Sequence, residues 1–169
     1  FRAASRARAA STILLIIFIV IFSFGDFSKA KKASAAWYAT GGTWGYRKQI
    51  TVDPEKVSGS SNLTDFPMLF KVTDPDLKHT AHGGKVGKID GTDILFTSSD
   101  GSTKLSHEIE YYASTTGEII AWVKVPTLYT AQQTPIYVYF GNSGASDQQN
   151  VTGVWDSNFK GVWHMPNGT

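Results

Sequence analysis

Trp44, Tyr46, Ile50 and Val52 fall on one side of a two-residue repeat while Arg47, Gln49 and Thr51 fall on the other. That is the alternation of a half-buried β-strand, whose successive side chains point to opposite faces. The stretch 57–64, rich in Ser, Gly and Asn, interrupts it, and Phe66, Met68, Phe70 and Val72 then repeat the pattern in a second strand. From Asp74 to Gly91 the chain is polar and without helical periodicity, and reads as a long loop. Beyond it, Asp93–Thr97 predicts a short strand, and Leu105, His107, Ile109 and Tyr111 alternate with Ser106, Glu108, Glu110 and Tyr112. Ile119–Val125 and Ile136–Phe140 complete the set, with turn signals at Asp100-Gly101, Thr116-Gly117 and Gly141-Asn142-Ser143-Gly144. Six or seven short strands without an amphipathic helix between them predict an all-β fold, an antiparallel β-sandwich of jelly-roll-like type.

The first 35 residues obey a different rule. Arg2, Arg6 and Arg8 precede an apolar run from Ile13 to Phe24, and the small residues Ala33-Ser34-Ala35 come after it. Basic, apolar and small segments in that order make an export signal. As a helix, Ile13–Phe24 reaches only about 18 Å, short of the roughly 30 Å hydrocarbon core, which suits a signal h-region. The long gap to Ala35 and an extension back to Ala9 also fit an uncleaved anchor. In either case the arginines stay in the cytoplasm and the rest is exported, so an extracytoplasmic location is expected, with membrane contact only through Ile13–Phe24 if it is retained. The expected organisation is a signal peptide or anchor helix over 1–35, a Gly-containing linker over 36–43, a β-sandwich over 44–150, and a last strand or the start of another domain over 151–169. Phe at position 1 and an ending soon after an apolar stretch point to a piece of a longer protein.

Charge supports this division. The chain carries 16 basic and 14 acidic residues. The first 35 residues hold six of the basic and one of the acidic ones, so residues 36–169 carry ten against 13, a net −3. The positive balance of the whole belongs to the targeting segment, which removes the case for nucleic-acid binding, where lysines and arginines would cluster on one face of the folded domain. There is no cysteine, so neither disulfides nor thiolate metal sites enter, and stability must come from a packed core.

Six motifs then resemble a known family in their order: Trp44-Gly45-Tyr46-Arg47-Lys48-Gln49-Ile50, Phe66-Pro67-Met68-Leu69, Asp90-Gly91-Thr92-Asp93-Ile94-Leu95-Phe96-Thr97, Glu108-Ile109-Glu110, Ala121-Trp122-Val123-Lys124-Val125-Pro126 and Ile136-Tyr137-Val138-Tyr139-Phe140-Gly141-Asn142. Over about residues 44–145 they are similar to a bacterial and archaeal domain of unknown function, number 2341. The resemblance implies a β-sandwich module of secreted or envelope proteins, some associated with biopolymer-transport components, and assigns no chemistry. The tail from Gly153 to Met165 resembles the lead-in to a laminin-G-like or concanavalin-like jelly roll.

Candidate sites are few. Trp122, with Tyr137 and Tyr139 on the next strand, lies out of phase with Ile119, Ala121, Val123 and Val125. An aromatic row on an outer sheet face could stack against sugar rings, while the plainer reading places these rings in the core. Glu108 and Glu110 share one strand face and superficially suit a two-carboxylate glycosidase, although adjacent glutamates on a strand are ordinarily its wet side. Asp90, Asp93 and Asp100 bracket tight turns and are weak calcium candidates beside their role as turn residues. His79 and His82 lack a third ligand and read as solvated loop. No phosphate loop, nucleophile elbow or catalytic triad is present, and no cofactor or metal is implied. The three N-x-S/T sequons start at Asn62, Asn150 and Asn167. The expected function is therefore a non-enzymatic extracytoplasmic module contributing to glycan or surface-polymer binding, with a structural spacer or an accessory of envelope transport as alternatives.

Overall fold

Period-two segments become paired strands once each finds a neighbour for its backbone N–H and C=O groups. The computed structural model describes residues 37–155, 157 and 159–164. The chain divides after Ala33, and the strands belong to the second part; the expected N-terminal hydrophobic helix falls outside the described residues. Seven strands are present: β1 (Tyr46–Val52), β2 (Leu63–Thr73), β3 (Leu95–Thr97), β4 (Lys104–Leu105), β5 (His107–Ala113), β6 (Glu118–Leu128) and β7 (Thr134–Phe140). They form two antiparallel sheets, a first in the order β1-β7-β3-β4 and a second in the order β2-β6-β5. The fold is all-β, as expected from the alternation.

The core lies between the sheets. Ile119, Ala121, Val123 and Val125 of β6 face Ile136, Val138 and Phe140 of β7, with Phe96 and Leu105 beside them and Met68, Phe70 and Val72 packed on from β2. Phe70 of the second sheet meets Phe96 of the first edge-on, ring centroids 5.3 Å apart, and His107 meets the same ring at 5.3 Å. Edge-to-face rings at this separation add to the burial of apolar area that holds the two layers together.

Strand β5 departs from simple alternation. Its register against β6 shifts between Ile109 and Tyr111, so Glu110 sits in a β-bulge. A bulge adds one residue to one strand and reverses which side chains face inward beyond it. The expected inward Tyr111 is therefore about half exposed, and Tyr112 takes its place against the core, its hydroxyl donating to the Leu77 carbonyl at 2.7 Å. Burial raises the Tyr112 phenol above its ordinary range.

Two segments expected to be loose are packed. The loop after β2 contains the short turns Pro75–Leu77 and Thr80–His82 and buries Leu77 and Val86 under the sandwich. Lys48 of β1 anchors it, reaching Asp74 at 2.6 Å and Asp76 at 2.8 Å, and Lys85 closes on Asp76 at 2.9 Å. Gly117, at φ +74° in the β5–β6 turn, allows this loop to press close, because a Cβ there would strike the Asp74 carbonyl. Tyr38, from the stretch read as a linker, packs on the outer face of the first sheet against Leu95, Tyr139 and Ala145, and Trp44, expected on the same face as Ile50 and Val52, joins that outer cluster instead because it precedes the first residue of β1. After β7 the chain forms the four-residue helix α1 (Val151–Val154).

Candidate functional site

Consecutive strands β6 and β7 belong to different sheets, because the connection over 129–133 crosses from one layer to the other. The expected single aromatic row is consequently split. Trp122 points out from the second sheet, and Tyr137 and Tyr139 point out from the first.

On the first sheet, Arg47 stands opposite Tyr139 and Gln49 opposite Tyr137 in the β1–β7 register. Tyr139 is fully buried: its hydroxyl donates to the Gly101 carbonyl at 2.9 Å and accepts from Arg47 Nη1 at 3.0 Å and from the Tyr38 amide at 3.3 Å. The Arg47 guanidinium carbon lies 4.8 Å from the ring centre of Trp37 and 4.8 Å from that of Tyr137. Guanidinium stacks well on aromatic faces, so the three side chains form one layered platform. Trp37 remains 48% exposed and Tyr137 is half-buried, while Tyr139 is the floor beneath them. Trp37 carried no sequence signal for this role, since it precedes the first alternating segment.

On the second sheet, the glutamates separated by two residues on β5 do share a face, and the C-terminal segment is drawn onto them. Trp122 Nε1 donates to Glu110 Oε2 at 2.9 Å, and Trp155 Nε1 donates to Glu108 Oε2 at 2.7 Å. The imidazole of His164 lies between the carboxylates, Nδ1 3.1 Å from Glu110 Oε2 and Nε2 3.3 Å from Glu108 Oε1. Its ring stacks on Trp122, interplanar angle 27°, and Trp155 packs 5.3 Å from Trp122 and, edge-on, 5.1 Å from Phe159. A general acid and a base acting across a sugar need access to it and separated roles. Here both carboxylates are engaged by donors from their own chain.

The aspartates serve turns. Asp93 is completely buried and accepts from the amides of Gly87, Lys88, Gly141 and Asn142 at 2.7 to 3.1 Å, pinning the long loop to the end of β7. Asp90 accepts from Thr92 N and Oγ1, and Asp100 accepts from Ser98, Ser102 and Thr103. These donors hold the Asp90 and Asp100 carboxyls below the usual carboxylate range, the Thr92 and Thr103 side-chain hydroxyls contributing most. The three do not converge, and among the described residues no three or more His, Asp or Glu side chains are grouped to hold a metal ion. His79 accepts from the Ala81 amide through Nδ1 and its ring lies 6.3 Å from that of His82, as turn-forming residues.

Residues 90–163 match the family model of the Domain of unknown function (DUF2341). No curated protein and no solved structure matches the chain. The DUF2341 stretch takes in β3 to β7, α1 and most of the segment after it, and so contains Asp93, both glutamates, Trp122, Trp155 and the two tyrosines of β7. The motifs Trp44–Ile50 and Phe66–Leu69 lie upstream of the matched residues. Among the described residues no helix is long and apolar enough to cross a membrane.

Proposed function

We propose that the chain is a non-enzymatic, extracytoplasmic β-sandwich module of a surface or secreted protein, and that it contributes to binding a carbohydrate or other surface polymer through the outer face of its first sheet. The single observation that carries this reading is the platform of Trp37, Arg47 and Tyr137, with Gln49 beside it, on a face whose aromatic rings remain partly open to solvent. Flat aromatic surface complements the C–H face of a sugar ring, and the neighbouring guanidinium and amide supply hydrogen bonds to its hydroxyls. The export of the module is supported by Arg2, Arg6, Arg8 and the Ile13–Phe24 run, as a cleaved signal or a retained anchor. A jelly-roll-like topology is part of the same reading, supported by the nested pairing of β1 with β7 and β2 with β6.

A structural spacer is the second reading, favoured by the full burial of Tyr139 and by the cover that Trp155 and His164 give Trp122. Polymer and glycan arrays probed with the full chain separate the two. The recognition reading expects a ligand whose binding falls at least about tenfold in Trp37→Ala and Tyr137→Ala with little change in thermal stability. Absence of any ligand, or binding indifferent to both substitutions, leaves the spacer. N-terminal sequencing of the exported product distinguishes cleavage after Ala35 from retention of Ile13–Phe24.

A further inference from the structure

The second sheet carries a constellation that this reading does not use. Glu108 and Glu110 each accept one indole N–H, from Trp155 and Trp122; Glu110 Oε2 lies 3.1 Å from His164 Nδ1, and Glu108 Oε1 lies 3.3 Å from Nε2 as an ion-pair contact without hydrogen-bond alignment. Trp122 supplies a floor nearly parallel to the imidazole. Two carboxylates on one side, an aromatic face below and a planar ring between them match the needs of a flat cation with two N–H donors. A neutral imidazole meets only half of them, because one of its nitrogens would present a lone pair to a carboxylate. Among the described residues the charged groups facing His164 are Glu108 and Glu110, both from β5; from β6 and the C-terminal segment it meets the rings of Trp122 and Trp155.

We propose that Glu108, Glu110 and Trp122 form a binding site for a planar N–H-bearing cation, an imidazolium in particular, which His164 fills from within the same chain. α1 packs on β5 and β6 next to Trp155. An emptied cleft would take the same class of cation from solution.

The test uses the full chain carrying His164→Ala, with free imidazole as the probe and the indole N–H resonances of Trp122 and Trp155 as the readout. Imidazole is charged at about pH 5.5 and neutral at about pH 8.5. At the lower pH it should shift both resonances in His164→Ala, and at least about tenfold less strongly at the higher pH or in the wild-type chain, whose site is filled. The response should vanish when Glu108→Gln and Glu110→Gln are added. Pyrazole, of the same shape and uncharged at the lower pH, gives an independent check in His164→Ala alone and should leave the resonances in place. No imidazole response in His164→Ala, a response that survives both glutamine substitutions, or equal responses to imidazole and pyrazole would each overturn the proposal.

Discussion

The imidazole of His107 packs edge-on against the ring of Phe96, centroids 5.3 Å apart, so that a titratable side chain joins the two sheets at the centre of the core. His107 is fully buried; its Nδ1 lies 3.4 Å from the Leu105 carbonyl and its Nε2 has no hydrogen-bond partner among the described residues. Such a ring is tolerated when neutral and costly when charged.

Burial pushes the His107 pKa down from 6.5 to about 4. Between those values the unfolded chain binds a proton that the folded chain refuses, so stability is lost as pH falls from about 6.5 towards 4 and is retained above. A displacement of this size corresponds to roughly 3 kcal/mol once both values are passed. Urea unfolding at neutral pH and near pH 4.5 should show the decline, and His107→Leu, of similar volume and without charge, should remove most of it. An unchanged slope in the leucine variant would assign the acid sensitivity to other groups.

The bulge at Glu110 makes neighbouring tyrosines unequal. Tyr112 packs on the core and bonds Leu77, whereas Tyr111 opens to solvent on the other face. Tyr112→Phe should cost about 1 kcal/mol for the lost hydrogen bond, and Tyr112→Ala roughly 3 kcal/mol for the lost packing. Tyr111→Ala should stay within about 0.5 kcal/mol of the parent. Chemical denaturation of the three variants checks the order, and a costlier Tyr111→Ala than Tyr112→Ala would mean that β5 runs without the phase change.

That pair also marks where the sequence stops being readable. Alternation identifies β1, β2, β6 and β7 and assigns their inward faces, because a two-residue period is a property of each strand alone. It carries no information about partners, and so Trp122 and the two tyrosines of β7 look like neighbours although their strands lie in opposite layers. A bulge is equally silent, since Glu110 resembles any polar residue on a wet face. Trp37, Trp155 and His164 lie outside every periodic segment, and their roles depend on contacts with strands that are remote along the chain. Glu108 and Glu110 were legible as a pair on one face, but the donors that occupy them were not.

Asp93 holds the long loop and the end of β7 through four backbone amides, among them Gly141 and Asn142 across about half a hundred residues of chain. Asp93→Ala leaves these donors without their acceptor, and buried amides so stranded cost about 1 to 3 kcal/mol each. A loss of roughly 3 kcal/mol or more is expected, seen as a fall in Tm of about 10 °C or more. Asp93→Asn keeps one carbonyl oxygen but turns an amide nitrogen toward N–H groups, and should recover only part of the loss. A Tm unaltered by Asp93→Ala would show that the loop is held by Lys48, Asp74 and Asp76 instead.

The bond from Trp155 Nε1 to Glu108 Oε2, at 2.7 Å, is the shortest polar contact between the C-terminal segment and the second sheet among the described residues. It is charge-assisted and partly shielded by Trp122 and Phe159, which places its worth above that of an exposed ion pair. Trp155→Phe keeps an aromatic ring against Trp122 and removes the donor, and Glu108→Gln keeps the shape of the acceptor and removes its charge. Each alone should destabilise by about 1 to 2 kcal/mol, and together by less than their sum, with a coupling energy of about 1 kcal/mol. Measured unfolding free energies of the two single variants and the double variant close the cycle. Strict additivity would mean that Trp155 stays on the sheet through ring packing alone, and that the glutamate beneath it holds His164 without help from the indole.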